Sequence, residues 1–477
     1  YIFIMNVAFK IIIALSIKLL FGDPFNGYAL ITTGSQGGGN IRKTILIDNN
    51  ENIINEWNHD TKVTSVAYIS SDSILYVPCQ ISSNDEGGPG GGPTGGRFLK
   101  KNWDNEILWD YTIPDEICEP HHDISVLHNG NILAICSETK SYQEAIEAGK
   151  QNLNGDFTLD MIIEIEPVGI HEANIVWEWH FWDHLIQDTN LDYDNFGIIS
   201  EHPELLDINC STSGGGGSGP GVGDWNHLNS IYYNDSFKQI VISSRHMNEF
   251  YVIEHTETSL QAASHSGGIF GSGGDFLYRW GNPQNYNRGN ANDQILNAQH
   301  SVNWISTGHP GEGNFILFNN NHSSNSSAVL EIVPPVNENG FYSLDSNNPF
   351  GPSSYHWIYE NDFYSNTQSG AYRMNNGNTF VTSAADDQIF EVNMNGDIEW
   401  YFQGNESTVR ALKYPIDYFY NPITGDLNQD SVINVLDVIL MTNIILELID
   451  FNNQGDINDD QIIDILDIIL LINIILF

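Results

Sequence analysis

Short apolar runs separated by polar turns set the rhythm of this chain. The runs favour Ile, Val, Tyr, Phe and Trp and are bounded by Asn, Asp or Gly, a strand-and-turn pattern rather than a helical one. Two marks recur. One is a strand ending in Trp: NIINEW (Trp57), EILWDY (Trp109), NIVWEW (Trp177, Trp179), FLYRWG (Trp280), YHWIYE (Trp357) and DIEWYF (Trp400). The other is a turn followed by an apolar strand, as in SSDSILYV, HNGNILAI, FKQIVIS, EGNFILF and NNGNTFVT. Between these marks the chain parses into units of four strands. The first runs from TSVAYIS to EILWDYT, the second from HDISVL to NIVWEWH and the third from HLNSIYY to FLYRWG. The fourth runs from HSVNWIS to YHWIYE and the fifth from GAYRMN to DIEWYF. A sixth is split: GYALITT, TILIDNN and NIINEW stand at the start, and VRALKYPIDYF (409–419) supplies the missing strand. The pattern predicts an all-β, six-bladed β-propeller over residues 28–420 with a split closing blade, which leaves no open sheet edge.

One hairpin carries candidate chemistry. DWNHLNSIYYNDSFKQIVISSR (224–245) places His227 at the mouth of its first strand and Arg245 at the end of its second, so the two face one small volume. Imidazole beside a guanidinium suits a tetrahedral oxyanion. HHDISVLHNGNILAICS puts His122 at the matching place, and QHSVNWISTGHPGEGNFILFNN does so with His300. Inner strands of blades line the channel, so the three His residues are expected to converge there. His121 is expected on the opposite face from His122, in a structural role, and His246 is given the same reading.

Charge narrows the partners. The 61 acids against 17 bases give a net charge of −44, which argues against nucleic acid and anionic membranes, since both need a basic footprint. The four cysteines (Cys79, Cys118, Cys136, Cys210) show no zinc spacing; Cys118 and Cys136 flank one hairpin, as a pair or as free buried thiols. Residues 1–27 read as a signal-peptide-like leader, and the chain as secreted or cell-surface, extracellular or periplasmic. Glycine-rich inserts at 87–97, 211–223 and 264–274 read as flexible loops, and none is a phosphate-binding loop. Loop 183–210 is expected to form a short helical insertion.

The tail changes character near Gly425. GDLNQDSVINVLDVIL is followed thirty residues later by GDINDDQIIDILDIIL, each an oxygen-rich loop leading into an apolar helix. The spacing matches an EF-hand loop with Asp at its last position. The predicted Ca²⁺ ligands are Asp426, Asn428, Asp430, Val432 (backbone), Asn434 and Asp437, then Asp456, Asn458, Asp460, Ile462 (backbone), Asp464 and Asp467. Loop plus outgoing helix, duplicated over 424–477, resembles the type I dockerin module. That resemblance implies two Ca²⁺ ions and a cohesin-type protein partner bound through the helices.

The site set His122, His227, Arg245 and His300 lacks a Ser-His-Asp context and an H-E-x-x-H, and Arg245 would repel a metal held by the three His residues. EPHHDISVLHNGNIL, DWNHLNSIYY…VISSR and AQHSVNWIS…GNFILFNN resemble the signature regions of the bacterial aryl-sulfate sulfotransferases, and the resemblance covers roughly residues 28–420. It implies a six-bladed propeller that moves a sulfuryl group from a phenolic sulfate ester to a phenolic acceptor, with no nucleotide donor and no catalytic cofactor. It also implies roles: His300 as nucleophile and transient sulfohistidine, His227 and Arg245 on the sulfuryl oxygens, His122 as an oxygen contact or proton donor to the leaving phenolate. Two other readings stay open, a non-catalytic ligand-binding propeller of an extracellular complex and an aryl-sulfate hydrolase.

Overall fold

The computed structural model describes residues 23–33, 42–81, 94–114, 116–212, 224–345, 347–361, 363–404, 408–419, 424–428, 433–446, 448, 453–458, 460 and 462–476. The chain divides into two units, residues 1–70 with 74–416 and residues 71–73 with 417–477.

The first unit is a six-bladed β-propeller of four-stranded antiparallel sheets. Blade 1 pairs Tyr68–Ile69, Leu75–Gln80, Gly96–Lys101 and Ile107–Thr112 in that order. Blade 2 uses Glu119–Val126, Ile132–Lys140, Phe157–Val168 and Glu172–His180. Blade 3 uses Leu228–Asn234, Gln239–Ser244, Glu249–Glu254 and Tyr278–Trp280. Blade 4 uses His300–Trp304, Phe315–Ser323, Ser326–Ile332 and Trp357–Tyr359, and blade 5 Gly370–Arg373, Thr379–Ser383, Gln388–Val392 and Ile398–Gln403. Blade 6 is split as expected. Ala411–Pro415 forms its first strand and pairs antiparallel with Gly27–Thr33, which continues to Lys43–Ile47 and Ile53–Asn58.

The recurrent Trp now has a physical meaning. In each blade the indole N–H of the last strand donates to the next blade. Trp109 Nε1 reaches Glu172 O (2.9 Å), Trp177 Nε1 reaches Thr256 Oγ1 (3.2 Å) and Trp280 Nε1 reaches Pro352 O (2.7 Å). Trp357 Nε1 reaches Met394 O (3.3 Å), Trp400 Nε1 reaches Asn49 O (3.1 Å) and Trp57 Nε1 reaches Asn102 O (2.8 Å), which closes the circle. A buried indole must satisfy its one donor, and here that need ties neighbouring sheets together. Four cations are paired in the interior, Arg279 within blade 3 and the other three between blades. Arg279–Glu249, Arg373–Glu331, Arg410–Asp123 and Lys413–Glu391 are buried ion pairs.

Two expectations need correction. Residues 183–210 form no α-helix: the 3-10 turn Phe181–His184 leads into Leu185–Ile186, a second 3-10 turn (Ile199–Glu201) follows, and Leu206–Asp207 then pairs parallel with Leu185–Ile186. The residues between supply Asn and Asp side chains that bond the local backbone, which favours turns over a helix. The insert 264–274 is not a slack linker. It closes on itself through Gly273 N to Gly267 O and Gly274 N to Ser264 O, both 3.0 Å. At the start of the described residues, Asp23 O accepts from Asn378 Nδ2 (3.0 Å) and Phe25 O from Asn49 Nδ2 (2.9 Å). Residues 1–22 and most of the inserts 87–97 and 211–223 lie outside the described residues. All four cysteines are free thiols, and burial pushes Cys79 and Cys210 up to about 12.

The second unit packs Leu427, Met441, Ile444 and Leu471 into a small core of its own. Its helices are Val435–Ile445 and Ile465–Leu476.

Candidate functional site

Three inner strands deliver the three His residues, each through an irregular entry. Blade 2 slips register between Pro120 and Ile124, blade 3 between Leu228 and Ser230, and blade 4 between His300 and Asn303. Left-handed backbone marks all three places: His122 at φ 54°, His227 at φ 50° and Ser301 at φ 58°. Non-glycine residues rarely hold this conformation, at a cost of order 1–3 kcal/mol each, and it tends to gather at functional sites. The left-handed turn at His122 also breaks strand alternation. His121 therefore does not point away: its Nδ1 lies 2.7 Å from His122 Nδ1.

The side chains converge. The His122 and His227 rings meet edge to face at 4.6 Å, and His246 stacks on His227 at 4.5 Å. Arg245 N donates to His227 O at 3.0 Å, so the hairpin ends return together as the sequence suggested. The charges of Arg245 and His227 act on His300, and His122 feels His227, His121, His300 and Arg245. Adjacent blades are locked here. Asp160 N donates to Asn226 Oδ1 (3.0 Å), Asn229 Nδ2 to Gln299 O (2.7 Å) and Val302 N to Ser230 Oγ (3.1 Å).

His300 is held in one tautomer. Its Nδ1 faces Asn320 Oδ1 (2.7 Å) and Ala298 O (3.0 Å), two acceptors, so Nδ1 carries the proton and Nε2 the lone pair. The Asn320 amide cannot turn round, because its Nδ2 donates to Ser365 O (2.9 Å) and Gln368 O (3.0 Å). Burial, helped by the Arg245 and His227 charges, pushes His300 down to about 3 despite the Asn320 bond. The imidazole is neutral at any ordinary pH, and its Nε2 keeps a free lone pair.

The other rings are tuned differently. Burial and the neighbouring cations hold His122 well below the usual imidazole value. Burial alone would also lower His121, but the charge of Asp160 and the bond from His121 Nε2 to Asp160 Oδ1 (3.0 Å) outweigh it and raise His121. His227 Nδ1 bonds the Asp224 carboxylate, which the bond keeps ionised against its burial. His246 is pushed down to about 4, first by burial and then by His227.

Arg245 is the exception among the arginines. Every other described one bonds a carboxylate or a backbone oxygen, whereas among the described residues the Arg245 guanidinium has no hydrogen bond or ion pair. Burial lowers its pKa, and the nearby Asp224 charge opposes that. An unpaired, partly buried guanidinium in a chain with this excess of acids is a place for an external anion. Asp224, His227 and His246 also bring ligand atoms within 4.8 Å of one another, but Arg245 beside them disfavours a cation.

Sequence reasoning named the four central residues and missed their partners. Asp160, Asp224 and Asn320 sit in other strands or ahead of the bulges, and no spacing rule links them to the histidines they hold.

In the second unit the loop carboxylates fit a hard cation. Asp426, Asp437 and Asp467 are fully buried, and residues 417–477 contain no Lys, Arg or His to neutralise them. Asp437 Oδ1 accepts from Leu427 N (2.8 Å) and Asn428 N (3.1 Å), and Asp467 Oδ1 accepts from Ile457 N (2.8 Å) and Asn458 N (3.3 Å). Asn434, Asp456, Asn458, Asp460, Ile462 and Asp464 belong to the same two loops; Asp430 and Val432 lie outside the described residues.

A family model described as Arylsulfotransferase (ASST) matches residues 106–421. No curated protein matches the chain. Among solved structures, the periplasmic gluconolactonase PpgL of Pseudomonas aeruginosa is 12% identical over 82% of this chain and 99% of that one, with a TM-score of 0.43. A protein of unknown function from Bacteroides caccae is 10% identical over 81% and 98%, with a TM-score of 0.42. Likenesses this distant carry no argument about the site.

Proposed function

This chain belongs to the arylsulfotransferase family, and from that premise we propose a transfer through His300 in the centre of the propeller. The enzyme is an aryl-sulfate sulfotransferase; its substrates are an aryl sulfate donor and a phenolic acceptor. The observation that carries the finer reading is the neutral, tautomer-locked His300 in the field of an unpaired Arg245.

In the first step His300 Nε2 attacks the donor sulfur. The N–S bond forms as the S–O bond to the aryl oxygen breaks, and the electron pair leaves on the phenolate. Arg245 and His227, whose ring Asp224 braces through Nδ1, hold the sulfuryl oxygens as negative charge shifts in the transition state. His122 hands a proton to the phenolate oxygen, and His121, whose pKa Asp160 raises, replaces it across the Nδ1–Nδ1 contact. In the second step an acceptor phenol gives its proton back to this relay, its oxygen attacks sulfur, and the N–S bond breaks. No catalytic cofactor enters either step.

The test is release of nitrophenol from 4-nitrophenyl sulfate with and without an added phenol. Release stimulated by the phenol, with a matching yield of the new aryl sulfate, is expected. Release at one rate regardless of phenol, with inorganic sulfate as product, would turn the reading to hydrolysis.

For the second unit we propose two bound Ca²⁺ ions and docking to a cohesin-type partner in an extracellular or periplasmic setting. The ions would supply the positive charge that residues 417–477 lack. The helices support docking, because equivalent positions of the two repeats leave apolar side chains in water: Val435 and Ile465, Leu436 and Leu466, Ile439 and Ile469. Chelation with EGTA should open this unit to protease while the propeller keeps its melting transition and its activity. Unchanged proteolysis after chelation would remove Ca²⁺ from the account.

A further inference from the structure

A second cluster of ligand atoms lies at the blade 2–blade 3 edge, among residues with no part in sulfuryl transfer. His184 Nδ1 is 2.7 Å from Asp275 Oδ1, and His265 Nδ1 is 2.8 Å from the same oxygen. All three ligand atoms lie within 4.8 Å of one another. His184 is fully buried and Asp275 nearly so, whereas His265 is 58% exposed and leaves one side open to solvent.

The His184 ring is held in place on several sides. Its Nε2 donates to Ala262 O at 2.8 Å, which assigns the proton of a neutral ring to Nε2 and leaves a lone pair on Nδ1. That lone pair aims at a carboxylate oxygen, and so does a ring nitrogen of His265. Such a meeting needs protons or a cation between the atoms. A ring N–H tied to a backbone carbonyl is also the usual outer support of a metal-bound histidine. Trp179 stacks flat on the His184 ring, with centroids 5.3 Å apart and planes 9° apart, and its Nε1 donates to Gly274 O at 2.8 Å. Gly274 must be glycine here: a Cβ would lie 1.9 Å from Ala262 O and 2.7 Å from His184 Nε2. The loop is thus shaped to bring Asp275 and His265 over a fixed imidazole.

We propose that His184, His265 and Asp275 form a site for a divalent transition metal, best suited to Zn²⁺, with water as the fourth ligand. Two imidazole nitrogens and one carboxylate oxygen are a donor set that zinc takes in tetrahedral geometry. Each N–O contact needs to open by only roughly half an ångström to receive the ion. The ion displaces whatever protons lie between these atoms, and it staples the 264–275 loop to the turn after blade 2.

The full chain, stripped with EDTA and returned to a Ca²⁺ buffer, would be titrated with Zn²⁺ as wild type, His265→Ala and Asp275→Asn. Bound zinc is measured by equilibrium dialysis and the response by melting temperature. Wild type should hold one equivalent more Zn²⁺ than either variant and should gain several degrees more on adding it. Zinc held elsewhere, for example at Asp224, His227 and His246, is common to all three proteins and cancels. His265 is exposed, so its variant folds and decides the matter alone if Asp275→Asn does not. Equal zinc content in wild type and His265→Ala would overturn the site.

Discussion

His300→Ala will lose nitrophenol release from 4-nitrophenyl sulfate by at least about three orders of magnitude, with or without phenol, while the melting temperature stays near wild type. The size follows from covalent catalysis: without Nε2 no N–S bond forms, and the two easier steps collapse into one hard one. Quenched wild-type enzyme should carry a sulfuryl group on a histidine, labile to acid, and the variant none. The pH profile sharpens the prediction. Because His300 is held near 3, its nucleophilic form is complete throughout the neutral range, so an acid limb above about pH 5 must come from another group. Full activity in His300→Ala would move the nucleophile elsewhere.

Arg245→Ala should cost roughly a hundred- to a thousandfold in kcat, the usual effect of removing one charged donor from a developing oxyanion. Arg245→Lys should recover only part, since an ammonium keeps the charge but loses the planar fork that spans two sulfuryl oxygens. A second consequence has a definite sign. The Arg245 charge helps to depress His300, so its removal lifts the His300 pKa toward, though not up to, the ordinary imidazole value, because burial remains the larger cause. The acid limb that titrates His300, near pH 3 in the wild type, should therefore move to higher pH in Arg245→Ala and stay in place in Arg245→Lys. A loss confined to KM, with kcat intact, would make Arg245 a donor-binding residue with no special grip on the transition state.

The blades were readable because their signals are local and repeated. A Trp at the end of each fourth strand is visible in one dimension, and the structure shows why it recurs: each indole closes a bond to the next blade. The same holds for His122, His227 and His300, which share one place in the unit. What could not be read depends on contacts between residues distant in sequence or on backbone twist. The turn that swings His121 onto His122 is a left-handed residue that no propensity announces. Asp160 reaches His121 from two strands away in the same blade, and Asn320 reaches His300 from across its hairpin. Loop 183–210 misled because its acids suggest a solvated helix, whereas its apolar residues pair as a short parallel ladder.

The strand that closes the propeller is also the last one before the tail. Ala411–Pro415 pairs with Gly27–Thr33, and the second unit begins at Asp417. Were the proposed partner to hold the second unit, tension on the tail would enter the ring through its own clasp. Lys413 is the rivet of that clasp: its ammonium sits 2.7 Å from Glu391 and 4.8 Å from the centre of the Trp400 ring. Just ahead of the strand, Arg410 grips Asp123 at 2.7 Å, and Asp123 is the chain neighbour of His122. Under the proposed docking, a pull on the tail would pass from Arg410 through its ion pair with Asp123 to the chain neighbour of His122, the proposed proton donor.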